Sequence, residues 1–219
     1  MFSLPGERVI KGGYIIPPMG IIRMLAFILV LAMNIEARPI SYSGGSTLMV
    51  KSDNLSNSTY FHYSPSFKYS IGLEDFDNKL YQDDINYFRF TYLLNRKNTL
   101  NSQRNLYFQS GIDISNKNNN FYGAHGDWET RRWFAGFGYK KVEGETNNGY
   151  ENKYLQFGVA PYIGDYGDFH TWLMVKTKKS SLTKNISTFP VLKFFSGDAL
   201  VEVGYDDQTN WDLHLMYRF

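Results

Sequence analysis

The chain has 219 residues, no cysteine, a formal net charge of +2, and 17 Tyr, 17 Phe and 4 Trp. The missing thiols exclude a disulfide scaffold, a thiolate zinc site and a cysteine nucleophile, and the near-balanced charge excludes the basic footprint of a nucleic-acid binder. An aromatic share of 17% favours β-structure or a membrane interface, where Tyr and Trp sit between hydrocarbon and water.

Residues 24–35, MLAFILVLAMNI, form an apolar run of the length of a signal-peptide core and too short for a comfortable membrane span. Arg23 supplies the positive flank and Ala37 a small residue at the cut. Residues 1–37 are therefore predicted to be an upstream extension plus a secretory signal peptide, with 38–219 as the mature domain beginning Arg38-Pro39. Pro5, Pro17, Pro18, Gly12 and Gly13 fit no export signal, which points to initiation at Met19 or Met24.

Beyond Ala37 no sustained helical periodicity appears. Blocks of roughly ten residues alternate with period two and are separated by Gly, Asn, Asp and Ser. In chain order, Leu48 and Val50 oppose Thr47, Met49 and Lys51; Phe67, Tyr69, Ile71 and Leu73 oppose Lys68, Gly72 and Glu74. Phe88, Phe90, Tyr92 and Leu94 oppose Tyr87 and Arg89, and Leu106, Phe108, Ile112 and Ile114 oppose Gln109, Gly111 and Asp113. Trp133, Ala135, Phe137 and Tyr139 oppose Arg132, Gly136, Gly138 and Lys140, and Leu155 and Phe157 oppose Gln156 and Gly158.

Two blocks alternate less cleanly. In 168–178, Trp172 and Met174 fall with Lys176; in 185–195, Pro190 interrupts the run and predicts a bulge or bend. Then Val201, Val203 and Tyr205 oppose Glu202 and Gly204, and Trp211, Leu213, Leu215, Tyr217 and Phe219 oppose Asp212, His214, Met216 and Arg218. This reading gives about ten strands, with about eight as the alternative. The turns near 96–102, 143–150, 179–185 and 207–210 are predicted on the extracellular side, and the long connection 116–127 on the periplasmic side.

Alternation alone does not say which face is inside. The strand glycines, at 72, 111, 136, 138, 158 and 204, all fall on the polar face. A solvated surface gains nothing from a residue that costs roughly 0.5–1 kcal/mol in backbone entropy, whereas a crowded lumen gains room. The apolar face of the clean strands carries no charge, and its aromatics gather toward strand ends as an interfacial girdle would. The fold class is therefore an all-β, closed, antiparallel up-and-down transmembrane barrel with its polar face inward.

The last nine residues, WDLHLMYRF, place Leu213, Leu215, Tyr217 and Phe219 on one face with Phe219 terminal. This end resembles the assembly signal of Gram-negative outer-membrane β-barrels, and the strand pattern extends the resemblance over nearly all of 38–219. The resemblance implies a monomer in the cell outer membrane, with outer-membrane lipid and the barrel assembly machinery as partners. It implies no activity.

The polar face collects Lys68, Glu74, Arg89, Asp113, Arg132, Lys140, Glu202, Asp212, His214 and Arg218, with Lys51, Lys176 and Lys193. In a lumen of eight to ten strands such mixed charges are predicted to pair into a salt-bridged plug, or to leave a narrow polar channel. His62-Tyr63-Ser64 places a base and a nucleophile on one strand face, and is similar to the His-x-Ser of lipid A deacylases. That family carries its motif late in the chain, which favours coincidence here. Asp212-x-His214 resembles the Asp-x-His pair of omptin proteases, with Asp83-Asp84 as the second acidic pair, but lies mid-strand rather than at the outer rim. His125, read in a loop, and His170 have no partner at metal-ligand spacing. The expected function is thus a structural or narrow-channel (porin-like) barrel without cofactor, catalytic residues or nucleic-acid partner. The alternatives are an outer-membrane lipid-modifying hydrolase using His62 and Ser64, and a soluble periplasmic ligand-binding barrel.

Overall fold

The computed structural model describes residues 40–144, 149–163, 168–207 and 210–219. The proposed signal peptide lies outside them. Twelve antiparallel strands close into one barrel: β1 (Ser46–Ser52), β2 (Ser56–Ser66), β3 (Tyr69–Asn78), β4 (Asp83–Asn98), β5 (Ser102–Asp113), β6 (Asn120–Thr130), β7 (Trp133–Glu143), β8 (Tyr150–Val159), β9 (His170–Ser180), β10 (Ile186–Ser196), β11 (Ala199–Asp206) and β12 (Asn210–Arg218). Each strand pairs with its sequence neighbours, and β1 pairs with β12 in the register Leu48↔Tyr217 and Val50↔Leu215. Closure leaves no unpaired edge, which open sheets must otherwise protect.

The expected class holds, and the strand count is corrected from ten to twelve. The two added strands are β2 and β6. In β2, SNSTYFHYSPS offers only Phe61 and Tyr63 as outward apolar residues, and Pro65 reads as a break; the strand forms because β1 and β3 pair with it on both sides. In β6, NFYGAHGDWET carries Gly123, Ala124 and Gly126 where large apolar residues would announce a strand. The stretch 116–127 is therefore not a loop: the connection is 114–119, and β6 pairs with β5 and β7 along its length. Inserting β2 and β6 moves the 99–101 turn to the same barrel end as β1's first residue and Phe219, and moves 114–119 to the opposite end.

Pro190 produces no bulge. The β9–β10 ladder runs through Pro190↔Val175, while the β10–β11 ladder stops at Val191↔Gly204, one residue short of the proline. The ring nitrogen has no donor to offer, and it sits where a ladder ends. The register shifts lie instead at Tyr63/Ser66 between β2 and β3 and at Leu93/Asn95 between β4 and β5.

The two faces differ as the alternation requires. Outward residues include Leu73, Phe88, Phe137, Leu155, Phe157, Leu173, Val175, Leu192 and Leu215, all exposed. Aromatics mark the strand ends: Trp133 opens β7, Phe219 follows β12, and Tyr205 meets Trp211 edge-on at 5.1 Å near the opposite end. Outward charges stay near the rims, as in the pairs Lys141–Glu143 (3.0 Å) and Lys153–Glu151 (2.9 Å) beside the β7–β8 turn. The inward face holds apolar clusters toward the ends. Phe76, Ile85, Tyr87, Phe121, Val142 and Tyr150 pack at the end away from the C-terminus. Near the other end, Ile40 packs on Leu93 and Tyr107, and the Ser41 N–H donates to Ser64 Oγ at 3.0 Å.

Candidate functional site

The lumen glycines set the width available to the site. A Cβ at Gly138 would collide with the Tyr154 ring, and one at Gly111 with the Phe121 ring. Without those carbons the two rings lie close against the wall of the neighbouring strand. Twelve strands also give a wider barrel than the eight whose side chains just fill the interior. A cavity of about 370 Å³ remains, and its lining reaches from Asp53 in the β1–β2 turn at one end to Asn101 and Arg131 in turns at the other.

Most of the charges expected in the lumen do face it. Glu74, Arg89, Asp113, Glu202, Asp212 and Arg218 are buried on the inner face, and Lys140 and His214 are half-buried there. Lys68 and Arg132 are not lumen residues. Both lie in turns, β2–β3 and β6–β7, and are exposed; Lys68 Nζ stands 5.9 Å over the Phe67 ring. The alternation that assigned them extends past the strand ends, where facing has no meaning.

Pairing inside is specific. Arg89 donates to Glu74 at 2.9 Å and to Gln109 at 2.5 Å, and Ser58 donates to the other Glu74 oxygen at 2.6 Å. Lys176 reaches across the lumen from β9 to Asp212 on β12 at 2.7 Å. Lys178 bridges Asp212, at 2.6 Å, and Asp53. Lys193 pairs with Glu202 at 3.2 Å, and His214 Nδ1 stands 3.5 Å from that carboxylate's second oxygen. Satisfied pairs of this kind avoid the cost of a lone buried charge. Arg218 meets Asp198 of the β10–β11 turn at 3.4 Å; partial burial lifts that carboxyl above its ordinary range even so. Asp113 closes the β5–β6 turn, accepting from the Ser115 N–H at 2.8 Å and from Asn119 at 3.1 Å.

Two cations stand apart from this pairing. Among the described residues, Lys51 and Lys140 make neither an ion pair nor a hydrogen bond. Lys140 Nζ sits over Phe121 at 3.9 Å and Phe76 at 4.7 Å, which favours the ammonium without neutralising it. Lys51 points into the cavity and stays accessible to water there. The Asp53–Lys178 bridge escaped the sequence reading because Asp53 lies in a turn. Lys178 was findable, being two residues beyond Lys176.

The proposed catalytic pairs do not assemble. His62 and Ser64 share the inner face of β2 and are fully buried, outside the cavity lining. The His62 ring lies tilted against Tyr60 at 4.8 Å with neither nitrogen bonded among the described residues, while Ser64 Oγ is occupied by the Ser41 N–H. Asp212 is held by two lysines rather than by His214, and Asp83 and Asp84 lie at the exposed start of β4. His125 belongs to β6, not to a loop, and stacks on Tyr107 at 4.9 Å; His170 stacks on Trp172 at 5.4 Å. Among the described residues no group of three or more His, Asp or Glu side chains is arranged to hold a metal. Leu213, Leu215 and Phe219 of the terminal motif face outward and Tyr217 is half-buried beside them, with Phe219 against Phe61 at 6.1 Å.

Fold and lumen together define the class: a closed antiparallel barrel with an apolar exterior and a charged, hollow interior. No family model matches the chain, and no curated protein is similar to it in sequence.

Proposed function

We propose that the barrel spans the outer membrane of a Gram-negative bacterium as a monomer and gives small hydrophilic solutes a narrow path through its lumen. One observation carries this reading: a single cavity is lined by residues from both ends of a barrel whose outer face is apolar. The uncharged middle of that face supports contact with outer-membrane lipid, since a Lys or Arg there would cost about 2–4 kcal/mol at the bilayer midplane. The outward side chains of Leu213, Leu215 and Phe219 support a role for the C-terminal strand as the segment the assembly machinery engages. The same apolar exterior disfavours a soluble barrel, which would need its polar face outward, and the occluded His62 and Ser64 disfavour a hydrolase.

Refolded protein in a planar bilayer tests the reading. Discrete conductance steps are expected. A correctly folded, heat-modifiable barrel that inserts and stays electrically silent would leave only the structural role.

A further inference from the structure

We infer that the lumen prefers small anions, through a cationic layer formed by Lys51, Lys140, Arg89 and Lys176. This rests on the channel reading and names the class of solute. Lys51 comes from β1, Arg89 from β4, Lys140 from β7 and Lys176 from β9, so the layer draws on strands around the whole wall. Arg89, Lys176 and Lys140 all lie within electrostatic range of Lys51, and so does one carboxylate, Glu74.

The imbalance is local. Glu74 serves Arg89, and Asp212 serves Lys176 together with Lys178. Among the described residues no carboxylate forms an ion pair with Lys51 or Lys140; Glu74 acts on both through space, but its single charge is already paired with Arg89. Two positive charges therefore remain, one exposed to the cavity water and one held by aromatic faces that supply no counter-anion. A narrow passage with low-dielectric walls focuses such a field and enriches the oppositely charged solute. Rings of Lys and Arg are the arrangement that selects anions in pores. Carboxylates, phosphates and halides share the chemistry that would settle between Lys51 and Arg89. The Tyr154 ring, kept close to the wall by Gly138, lies 5.5 Å from Lys176 Nζ, and both side chains line the cavity.

The test measures the reversal potential of single channels in a potassium chloride gradient. Chloride is expected to permeate better than potassium. Lys51→Glu combined with Lys140→Glu should lower the chloride-to-potassium ratio by roughly tenfold, the lower end of what a focused one-sign field delivers. If the double variant does not fold, Lys51→Gln alone should still lower the ratio. Lys51→Cys adds a second readout, because the chain has no other cysteine. In folded barrels, a thiol at position 51 should react faster with a sulfonate-bearing methanethiosulfonate than with its ammonium-bearing analogue. Inorganic phosphate in the bath should reduce the chloride current of the parent channel and not that of the Lys51→Gln variant. Conductance with a ratio at or below unity, or a ratio unmoved by the charge reversals, overturns the anion inference and leaves the channel standing. Absence of conductance in a folded, inserted barrel overturns the channel itself.

Discussion

Strand β7 shows two kinds of wall in one segment. Outward it presents Trp133, Ala135, Phe137 and Tyr139; inward it presents Phe134, Gly136, Gly138 and Lys140. Trp133, Ala135 and Phe137 of the outer set are apolar, and only Tyr139, toward the rim, meets polar neighbours in Glu151 and Lys153, so the apolar members can be exchanged for other apolar groups as long as none carries charge. The inner set is keyed to named neighbours: Gly138 to Tyr154, Gly136 to Gln156, Lys140 to Phe121. Outer residues thus answer to a solvent, and inner residues to one another.

The largest effect should come from breaking an inner pair. Glu74→Leu leaves the Arg89 guanidinium, about a tenth exposed or less, without its carboxylate. Removing one partner of a buried pair costs about 3–5 kcal/mol. The midpoint of urea unfolding, followed by tryptophan fluorescence in lipid vesicles, should fall accordingly, and a replacement of both Glu74 and Arg89 by apolar residues should recover much of the loss. An unchanged midpoint would mean that lumen water already screens the pair.

A charge on the outer face comes next. Phe137→Arg should cost about 2–4 kcal/mol if that face meets hydrocarbon, whereas Gln156→Arg, on the inner face of β8, should be milder. The yield of heat-modifiable barrel compares them. Cysteines at 137 and 156 then separate lipid from water: a bilayer-confined photolabel should reach 137 and a water-soluble thiol reagent 156. Water labelling at 137 would invert the comparison.

Overfilling the inner wall should be weaker again. Gly138→Val drives a branched side chain into the Tyr154 ring, at about 1–3 kcal/mol for overpacking. Any conductance should fall with it as the ring is pushed into the lumen. Deleting Phe219 tests the terminal strand differently: the truncated chain should reach the periplasm but assemble poorly, and normal membrane levels would remove its role in assembly. The smallest change is expected at the rim, where Lys153→Gln breaks an exposed ion pair with Glu151 and an exposed contact with the Tyr139 ring. Its unfolding midpoint should match that of the parent protein.

The sequence by itself determined the fold class and the facing of most strands. Alternation is a local property, so Leu213, Leu215 and Phe219 against Asp212 and Arg218 could be sorted without knowing any neighbour. Glycines on the charged face were enough to turn that face inward. Strands β2 and β6 were illegible because small or hydroxylic residues interrupt their alternation: Ser58 and Ser64 in one, Gly123, Ala124 and Gly126 in the other. Their pairing is imposed by the strands on either side, and pairing between chain segments leaves no periodic mark within one of them. The same holds for the lumen. Sequence put Lys51, Lys140, Glu74, Arg89 and Asp212 on one face, but a face is not a partnership. Curving the sheet into a barrel brought β9 within reach of β12 and of the β1–β2 turn, which gave Lys176 and Lys178 their carboxylates, and left Lys51 and Lys140 without an ion pair of their own.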